Sequence, residues 1–273
     1  MFINTDKPLI MGILNITPDS FSDGGKFTEL NIALQQVQRM QAEGVDIIDI
    51  GGESTRPGSD PVSQDEQIQR VVPVITAIRQ QLNCSLAISI DTTSSVVAKA
   101  ALDAGATIIN DVSGGLADPA ILTLAATTNT PIILMHSKGT PKTMQDHPYY
   151  DDVIAEVIAA LKQCIAAALA AGIKKENIIL DPGIGFGKRK QDNLDLLAHL
   201  DALVALGFPV LLGASRKRFM GTLCDVSEPS ELVTATAVTT ALGVMAGVQL
   251  FRVHDVKENR QAADVTYAIR QSR

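Results

Sequence analysis

The stretch LAISIDTTSSVVAKAALDAGATIIND, residues 86–111, contains one complete strand–helix–strand unit. LAISID (86–91) and ATIIND (106–111) are nearly continuous apolar runs, as expected of parallel strands that are covered on both faces. The segment 94–104 between them predicts a helix, and Gly105 directly after it is a common helix stop. Both runs end in acidic or amide side chains. The stretch therefore predicts a βαβ unit with polar groups at the ends of its strands.

The same rhythm continues along the chain. Apolar runs predict eight strands, at 8–15, 46–51, 86–91, 106–111, 131–136, 177–181, 209–213 and 248–253. The segments that follow predict helices at 30–43, 64–81, 94–104, 118–127, 148–171, 192–207, 229–246 and 255–272. Eight such units without a linker favour an α/β fold, a single (β/α)8 TIM barrel that forms one domain over 1–273. An open, doubly wound sheet is the alternative.

Composition narrows the class of partner. The 273 residues are 46% hydrophobic and carry a net charge of −7, which argues against nucleic acid or an anionic membrane as the main partner. Cys84, Cys164 and Cys224 are scattered and lack metal or disulfide spacing, which suits a reducing compartment. The start of the chain lacks the pattern of a secretory signal. We therefore expect a cytoplasmic protein.

One segment, 232–251, is uncharged and long enough to span a bilayer. It holds four threonines, two glycines and a glutamine among many alanines, and few strongly apolar residues. Gly247 divides it into a helical part and a short strand-like part. The segment therefore predicts a buried helix followed by a strand, and we expect no membrane contact.

Polar residues end or follow all eight predicted strands. A single such residue is ordinary, because Asp or Asn at a strand end often caps the next helix. In a barrel, however, the carboxyl ends of the strands meet at one face, so these side chains converge on one cavity. In chain order they are Asn15, Glu53, Ser54, Thr55, Arg56, Asp91, Asn110, Asp111, His136, Asp181, Ser215, Arg216, Lys217, Arg252 and His254.

The segment DPGIGFGK (181–188) looks at first like a phosphate-binding loop. The Walker spacing fails because Pro182 stands where the first glycine belongs, and the Rossmann spacing fails because Lys188 stands in place of the third glycine. The glycines instead predict a tight turn with positive φ. Asp181 in front of that turn is suited to accept two N–H bonds from an aminopyrimidine edge.

Cationic residues form a second group at the strand ends. Arg56, Lys217, Arg252 and His254 would suit a spread anion such as pyrophosphate, which arginine forks and a lysine charge bind well. A Schiff-base role for Lys217 remains open. Asn15 is a poor metal ligand alone but, together with phosphate oxygens, could hold Mg²⁺.

Taken together, ordered motifs along nearly the whole chain resemble the dihydropteroate synthase family. They are MGILNITPDSFSDGG (11–25), DIIDIGGESTRPG (46–58), SIDT (89–92), INDVSG (109–114), MHSKGTPKTMQ (135–145), DPGIGFGK (181–188), GASRK (213–217) and RVHDV (252–256). The resemblance implies a (β/α)8 barrel, a homodimer and a role in folate synthesis. It also implies Mg²⁺ and a reaction that joins 6-hydroxymethyl-7,8-dihydropterin diphosphate to p-aminobenzoate with release of pyrophosphate. Sulfonamides compete for the p-aminobenzoate site in that family.

The resemblance also assigns residues to roles. The catalytic group would be Asp91, Lys217 and Arg56. The pterin would be held by Asp91, Asn110, Asp181 and Lys217, in a slot lined by Met135, Phe186 and Gly213. Arg252 would stack on the pterin and, with His254 and Asn15, meet the diphosphate, and Asn15 would touch Mg²⁺. The loops that close over p-aminobenzoate and the leaving group would contain Phe21, Thr55, Arg56, Pro57 and Ser215.

Two other functions compete with this one. A pterin-binding methyltransferase domain shares the barrel and the Asp/Asn grip on the pterin, but it would not need Thr55–Pro57 or the cations Lys217, Arg252 and His254. A non-catalytic pterin-binding paralogue is the third possibility, against which the presence of Asn15, Arg56 and Lys217 speaks. The sequence departs from the family pattern mainly at Arg218–Phe219, where smaller residues are common.

Overall fold

The structure is a computed structural model that describes residues 7–16, 26–54, 58–139, 143–144 and 148–272. The strands within these ranges are β1 Leu9–Asn15, β2 Ile47–Gly51, β3 Ala87–Asp91, β4 Ile108–Asp111, β5 Ile132–Met135, β6 Ile178–Asp181, β7 Leu211–Leu212 and β8 Leu250–Val253. The α-helices there are α1 Lys26–Ala42, α2 Gln64–Gln80, α3 Ser95–Ala104, α4 Ala120–Thr128, α5 Val153–Ala170, α6 Lys190–Ala198, α7 Leu200–Val204, α8 Arg218–Cys224, α9 Val233–Ala246 and α10 Val256–Gln271.

The eight strands form one parallel sheet in the order β6-β5-β4-β3-β2-β1-β8-β7. The two ends of this order meet, because a parallel bridge joins Leu180 at β6 to Val210 just before β7. The Leu180 amide donates to the carbonyl of Pro209 at 2.9 Å. The sheet is therefore a barrel, as the sequence predicted, and the open doubly wound alternative is wrong.

The strands line the barrel with one layer of apolar side chains. Since side chains alternate between the two faces of a strand, every second residue points inward. The inward layer is a separate apolar cluster to which every strand contributes: Leu9, Met11, Ile47, Ala87, Ile108, Ile133, Ile179, Leu211 and Leu250. The other faces of the strands pack against the helices in the main hydrophobic core.

The layer above this apolar floor is polar. Two residues further along their strands, in the same inward phase, stand Asp49, Ser89, Asn110, Asp181 and Arg252. We call these five the inner polar layer. The first four are less than 6% exposed, and Arg252 is partly buried. The change from an apolar to a polar layer within one strand period places the functional end of the barrel at the carboxyl ends of the strands.

Some predicted elements differ from the observed ones. The predicted helix 192–207 is two helices, α6 and α7, because the backbone of His199 leaves helical geometry (φ −121°, ψ 35°). The predicted helix 148–171 begins only at Val153, since the Asp152 side chain caps it by accepting from the Ala155 amide. Helix α8 was missed because its seven residues are too few to show a helical period. Residues 26–29, which precede the predicted helix 30–43, belong to the first turn of α1.

The segment examined for a membrane span has the predicted structure. Residues 233–246 form α9, Gly247 ends that helix with φ 95°, and β8 follows at Leu250. A different helix, α5, is long and apolar enough by length and composition to cross a membrane. In the structure α5 packs against β5, β6 and α6 on the outside of the barrel. Its length and composition are therefore accounted for by a barrel helix.

Arg79 of α2 ties together the end of the barrel that lies opposite the inner polar layer. Its guanidinium donates to the carbonyls of Gly105 (2.8 and 3.0 Å), Cys84 (2.7 Å) and Leu86 (2.7 Å). We expect Arg79→Met to lower the free energy of unfolding by about 2 kcal/mol, because three part-buried carbonyls lose a charged donor. Urea denaturation measures this, with Arg39→Met on the exposed face of α1 as the control. Equal stability of the two variants would contradict the assigned role.

Candidate active site

A cleft of about 560 Å³ opens at the carboxyl end of the barrel. Residues of six strand ends or following loops contribute to it, in agreement with the predicted convergence. Its walls include Asn15, Ser54, Phe186, Lys188, Gly213, Ser215, Lys217, Phe219, Arg252 and His254. Asp91, Asn110, Met135 and Asp181 lie buried in the barrel mouth, each at most 6% exposed. The cleft therefore has cationic residues in its wall, above the buried carboxylates and amide of the barrel mouth.

Asp181 ends β6 and has one carboxylate oxygen fixed by the protein. Its Oδ1 accepts from the Gly183 amide at 2.7 Å. Its Oδ2 faces Gly213, where a side-chain carbon would lie 3.7 Å away, so the absence of a side chain there keeps the approach to the carboxylate open. Burial raises the pKa of Asp181 to about 6, against the lowering effects of the Gly183 hydrogen bond and of Lys217. At neutral pH the group is thus a buried carboxylate whose Oδ2 has no hydrogen-bond partner among the residues that the structure describes.

The glycine-rich turn after Asp181 is required by close packing of backbone on backbone. Gly183 and Gly187 have φ values of +67° and +63°. A Cβ on Gly183 would lie 1.9 Å from the His136 carbonyl oxygen, and one on Gly187 would lie 2.1 Å from that of Lys138. The turn therefore packs on the segment after β5, and its positive φ values confirm the tight turn that the sequence predicted.

Arg252 of β8 spans two carboxylates inside the mouth. Its Nε donates to Asp49 Oδ2 and its Nη2 to Asp91 Oδ2, both at 2.6 Å. Burial raises the pKa of the Asp91 carboxyl above its ordinary value, and Asp49 and Asp111 add to that, while Arg252 opposes it. The arginine therefore neutralises a site that would otherwise hold two close buried negative charges.

Asp49 and Ser89 belong to the site, yet the sequence reasoning missed both. Asp49 is fully buried and contacts the Asn110 amide nitrogen with both oxygens at 3.4 Å, besides its bond with Arg252. Within the described part of the chain, Ser89 Oγ and Asp91 Oδ1 are buried without a hydrogen-bond partner. Such orphaned groups are uncommon, and these two lie toward the carboxyl ends of the strands, where a ligand could satisfy them. A count of every second residue along each strand would have found Asp49 and Ser89.

Lys217 follows β7, next to the strand that carries Arg252. Its Nζ lies 4.1 Å from the centre of the Phe186 ring, a cation–π distance. Burial and the nearby Arg252 lower the pKa of Lys217 to about 8, while Asp181 and Asp91 raise it. The lysine therefore keeps most of its charge at pH 7 and lies within the field of the same carboxylates that Arg252 contacts.

Ser215 and His254 form the outer rim. The Ser215 hydroxyl contacts His254 Nδ1 at 2.9 Å and accepts from the His254 amide at 3.1 Å. Asn15 ends β1, and a Cβ on Gly51 would lie 3.7 Å from its Oδ1 and 3.8 Å from Asp91 Oδ2. Arg216, one of the polar residues predicted to converge on the cavity, lines the cleft and pairs with Asp255 through two bonds of 2.6 and 3.0 Å. The positive charge of Arg216 is therefore balanced by the Asp255 carboxylate.

The structure brings most of the predicted site residues to one mouth. The following residues gather there: Asn15, Asp91, Asn110, Met135, Asp181, Phe186, Gly213, Ser215, Lys217, Arg252 and His254. Four others lie outside the described residues, namely Phe21, Thr55, Arg56 and Pro57. The roles assigned to all of these residues stay predictions.

A parallel barrel with a buried carboxylate and amide floor beneath cations defines a class of enzyme that binds a flat, nitrogen-rich ring. Residues 11–254 match the family described as pterin binding enzyme, and the chain belongs to that family. It is 47% identical over 263 residues to a dihydropteroate synthase from Synechocystis sp., covering 96% of this chain and 90% of that protein. Within the family it therefore belongs with the dihydropteroate synthases.

Solved structures agree with this assignment. The crystal structure of a dihydropteroate synthase from Clostridium difficile in the presence of pteroic acid is 45% identical with a TM-score of 0.90, covering 96% of this chain and 97% of that one. A dihydropteroate synthase from Yersinia pestis, solved with a sulfonamide drug complex, has the same identity and TM-score and covers 97% and 95%.

Proposed function

We propose that this chain joins 6-hydroxymethyl-7,8-dihydropterin diphosphate to p-aminobenzoate, giving 7,8-dihydropteroate and pyrophosphate. The observation that carries the proposal is the free Oδ2 of Asp181 at a mouth that also holds Asn110, Lys217 and Arg252. A carboxylate beside an amide matches the hydrogen-bonding edge of a pterin. The relative solved with pteroic acid, a pterin joined to p-aminobenzoate, supports the same substrates.

The residues suit a reaction that begins with loss of the leaving group. When the C–O bond to the pterin CH₂ breaks, pyrophosphate leaves with the electron pair and a delocalised pterin cation remains. Asp91 and Asp181 stabilise that cation because both are buried carboxylates near the ring. The arylamine nitrogen then bonds to the CH₂ and loses one proton. The amine is neutral at pH 7, so the step needs no strong base.

The outer rim supplies groups for the departing diphosphate. His254 and Arg252 are donors that border the cleft. Asn15 offers an amide oxygen, and no group of three His, Cys, Asp or Glu that could hold a metal was found among the described residues. This donor set fits Mg²⁺, which takes one or two protein oxygens and the rest from phosphates and water. When bound, Mg²⁺ would stabilise the negative charge of the leaving group.

The test is direct. The chain is incubated with the pterin diphosphate, p-aminobenzoate and Mg²⁺, and dihydropteroate and pyrophosphate are measured. We expect equal amounts of both products, loss of turnover with EDTA, and inhibition by a sulfonamide that more p-aminobenzoate reverses. Turnover that persists unchanged after chelation would remove Mg²⁺ from the proposal. Pterin binding without any dihydropteroate would instead favour a non-catalytic pterin-binding protein or a methyltransferase.

We also propose a homodimer that uses the outer faces of α9 and α10. These helices pack side by side, and each exposes apolar residues at a spacing of four: Val238 and Leu242 on α9, Val265 and Ile269 on α10, all more than 50% exposed. Exposed apolar patches of this kind mark protein contacts. We expect Leu242→Glu to convert a dimer to a monomer in light scattering, whereas Leu169→Glu on α5 leaves it dimeric. A wild-type monomer would contradict the proposal.

The compartment that we propose is the cytoplasm. All three cysteines are unpaired in the structure, with Cys224 exposed and Cys84 and Cys164 buried. Unpaired thiols of this kind suit a reducing environment. Fractionation of cells that express the chain, followed by thiol labelling of Cys224, tests this. Recovery in a secreted or envelope fraction would contradict it.

A further inference from the structure

Lys188 is a buried lysine for which the proposed reaction has no use, and burial lowers its pKa to about 7, while Asp181 raises it. It ends the glycine-rich turn and is 3% exposed. Its Nζ lies 2.9 Å from His136 Nδ1, 2.9 Å from the Gly183 carbonyl and 3.1 Å from the Phe186 carbonyl. The His136 carbonyl lies 3.4 Å away, so four acceptors surround an amine that has at most three protons to donate. These contacts hold the glycine-rich turn against His136.

His136 is set up to accept from this lysine. Burial and the nearby Lys188 lower the pKa of His136 to about 3, so the ring is neutral at pH 7. A neutral imidazole has one acceptor nitrogen, and Nδ1 is the one that faces Lys188 Nζ. His136 stands directly after β5, as Asp181 stands at the end of β6. The lysine therefore joins the segments that follow two neighbouring strands.

The turn that Lys188 holds carries an active-site side chain. The Tyr150 hydroxyl donates to the Gly187 carbonyl at 2.7 Å, and Asn193 accepts from the Gly185 amide at 2.7 Å, so the backbone is anchored on both sides of Phe186. Between these anchors the Phe186 carbonyl points to Lys188, and the Phe186 ring lies under Lys217 Nζ at 4.1 Å. The position of Lys217 therefore depends on the turn that Lys188 organises.

We propose that Lys188 is a positioning residue for pterin binding, acting through Phe186 on Lys217. The proposal deepens the function proposed above and rests on it for the identity of the ligand. Lys188 sets the conformation of the turn, the turn sets the Phe186 ring, and the ring supports Lys217 at the edge of the pterin slot. The residue also borders the cleft, so the alternative is direct contact with the ligand, and the two routes give different results in a mutant cycle.

The experiment is a double-mutant cycle of Lys188→Met and Phe186→Ala in the full chain. The affinity for 6-hydroxymethylpterin, which lacks the diphosphate, is measured by calorimetry. We expect Lys188→Met to weaken binding about tenfold in the wild-type background and less than about twofold in the Phe186→Ala background, because coupled residues are not additive. The KM for p-aminobenzoate should stay within about twofold of wild type. The control is Lys162→Met, on the exposed face of α5.

Losses that multiply in the double variant would overturn the proposal in favour of direct contact, and wild-type affinity in Lys188→Met would overturn it outright. If Lys188→Met does not fold, Lys188→Gln, which keeps one donor group, replaces it in the same cycle. The binding readout is independent of turnover. If the wild-type chain binds the pterin but makes no dihydropteroate, only the proposed function is contradicted. If the wild-type chain does not bind the pterin, the proposed function and the role of Lys188 are both contradicted.

Discussion

Replacing Asp181 by asparagine is expected to weaken pterin binding about a hundredfold, which corresponds to about 3 kcal/mol. The carboxylate offers two acceptor oxygens, one held by the Gly183 amide and one directed to the cleft. An asparagine keeps the first contact through its carbonyl but presents an NH₂ group to the N–H groups of the pterin. A charge-assisted hydrogen bond is therefore replaced by two opposed donors.

The same substitution is expected to raise the melting temperature at about pH 7.5, which separates loss of binding from loss of fold. The pKa of Asp181 is about 6 in the folded chain and 3.8 ordinarily, so the folded state binds the proton more tightly. Its stability therefore falls as the pH rises through this range, and asparagine removes that cost. Calorimetry with 6-hydroxymethylpterin and thermal denaturation measure the two effects, with Asp201→Asn on α7 as the control. Binding within about threefold of wild type would contradict the assigned role.

Arg252→Met is expected to lower the free energy of unfolding by about 4 kcal/mol near pH 8 and to abolish turnover. The substitution leaves Asp49 and Asp91 in the barrel mouth without the guanidinium that contacts both. Removal of one partner from a buried ion pair is costly because the remaining charge stays desolvated. The chain also loses the cation that we place at the pterin and its diphosphate.

The deficit of Arg252→Met should shrink as the pH falls from about 8 to about 5. Burial already raises the pKa of Asp91 in the presence of Arg252, and loss of the arginine raises it further. The folded variant then takes up a proton that the unfolded chain does not bind, so its stability recovers on acidification. Urea titrations at the two pH values measure this, and Asp49→Asn in the Arg252→Met background should restore part of the stability. A deficit independent of pH would exclude uncompensated carboxylates as its cause.

The barrel was predictable because parallel strands covered on both faces give apolar runs, and helices fill the segments between them. The runs ending in Asp91, Asn110 and Asp181 marked the mouth correctly, since polar residues at parallel strand ends meet at one face. Lys217 and Arg252 were placed there too, although their contacts with Phe186 and Asp49 could not be read from the chain. Such contacts depend on the tilt of the barrel, which sequence spacing does not contain.

Asp49 and Ser89 were hidden for a different reason. Each stands inside an apolar run with isoleucine on both sides, so neither marks a strand end. Only the inward phase of the strands, fixed once the apolar floor is known, shows that they belong to the inner polar layer. Lys188 was likewise dismissed with the failed phosphate-loop pattern, because its acceptors are backbone carbonyls that a sequence motif cannot show.

Closure of the barrel through the Leu180–Val210 bridge has a mechanical consequence. β7 has two residues, so fewer backbone hydrogen bonds join β6 to β7 than join β1 to β2. Transient breathing of the wall should begin there, beside Asp181. A pterin that binds both Asp181 at the end of β6 and Lys217 after β7 would link the two strands across this joint. Pterin binding would then restrict local opening at this joint. Amide hydrogen exchange should therefore slow more at Leu180 than at Ile90 of β3 when the pterin binds.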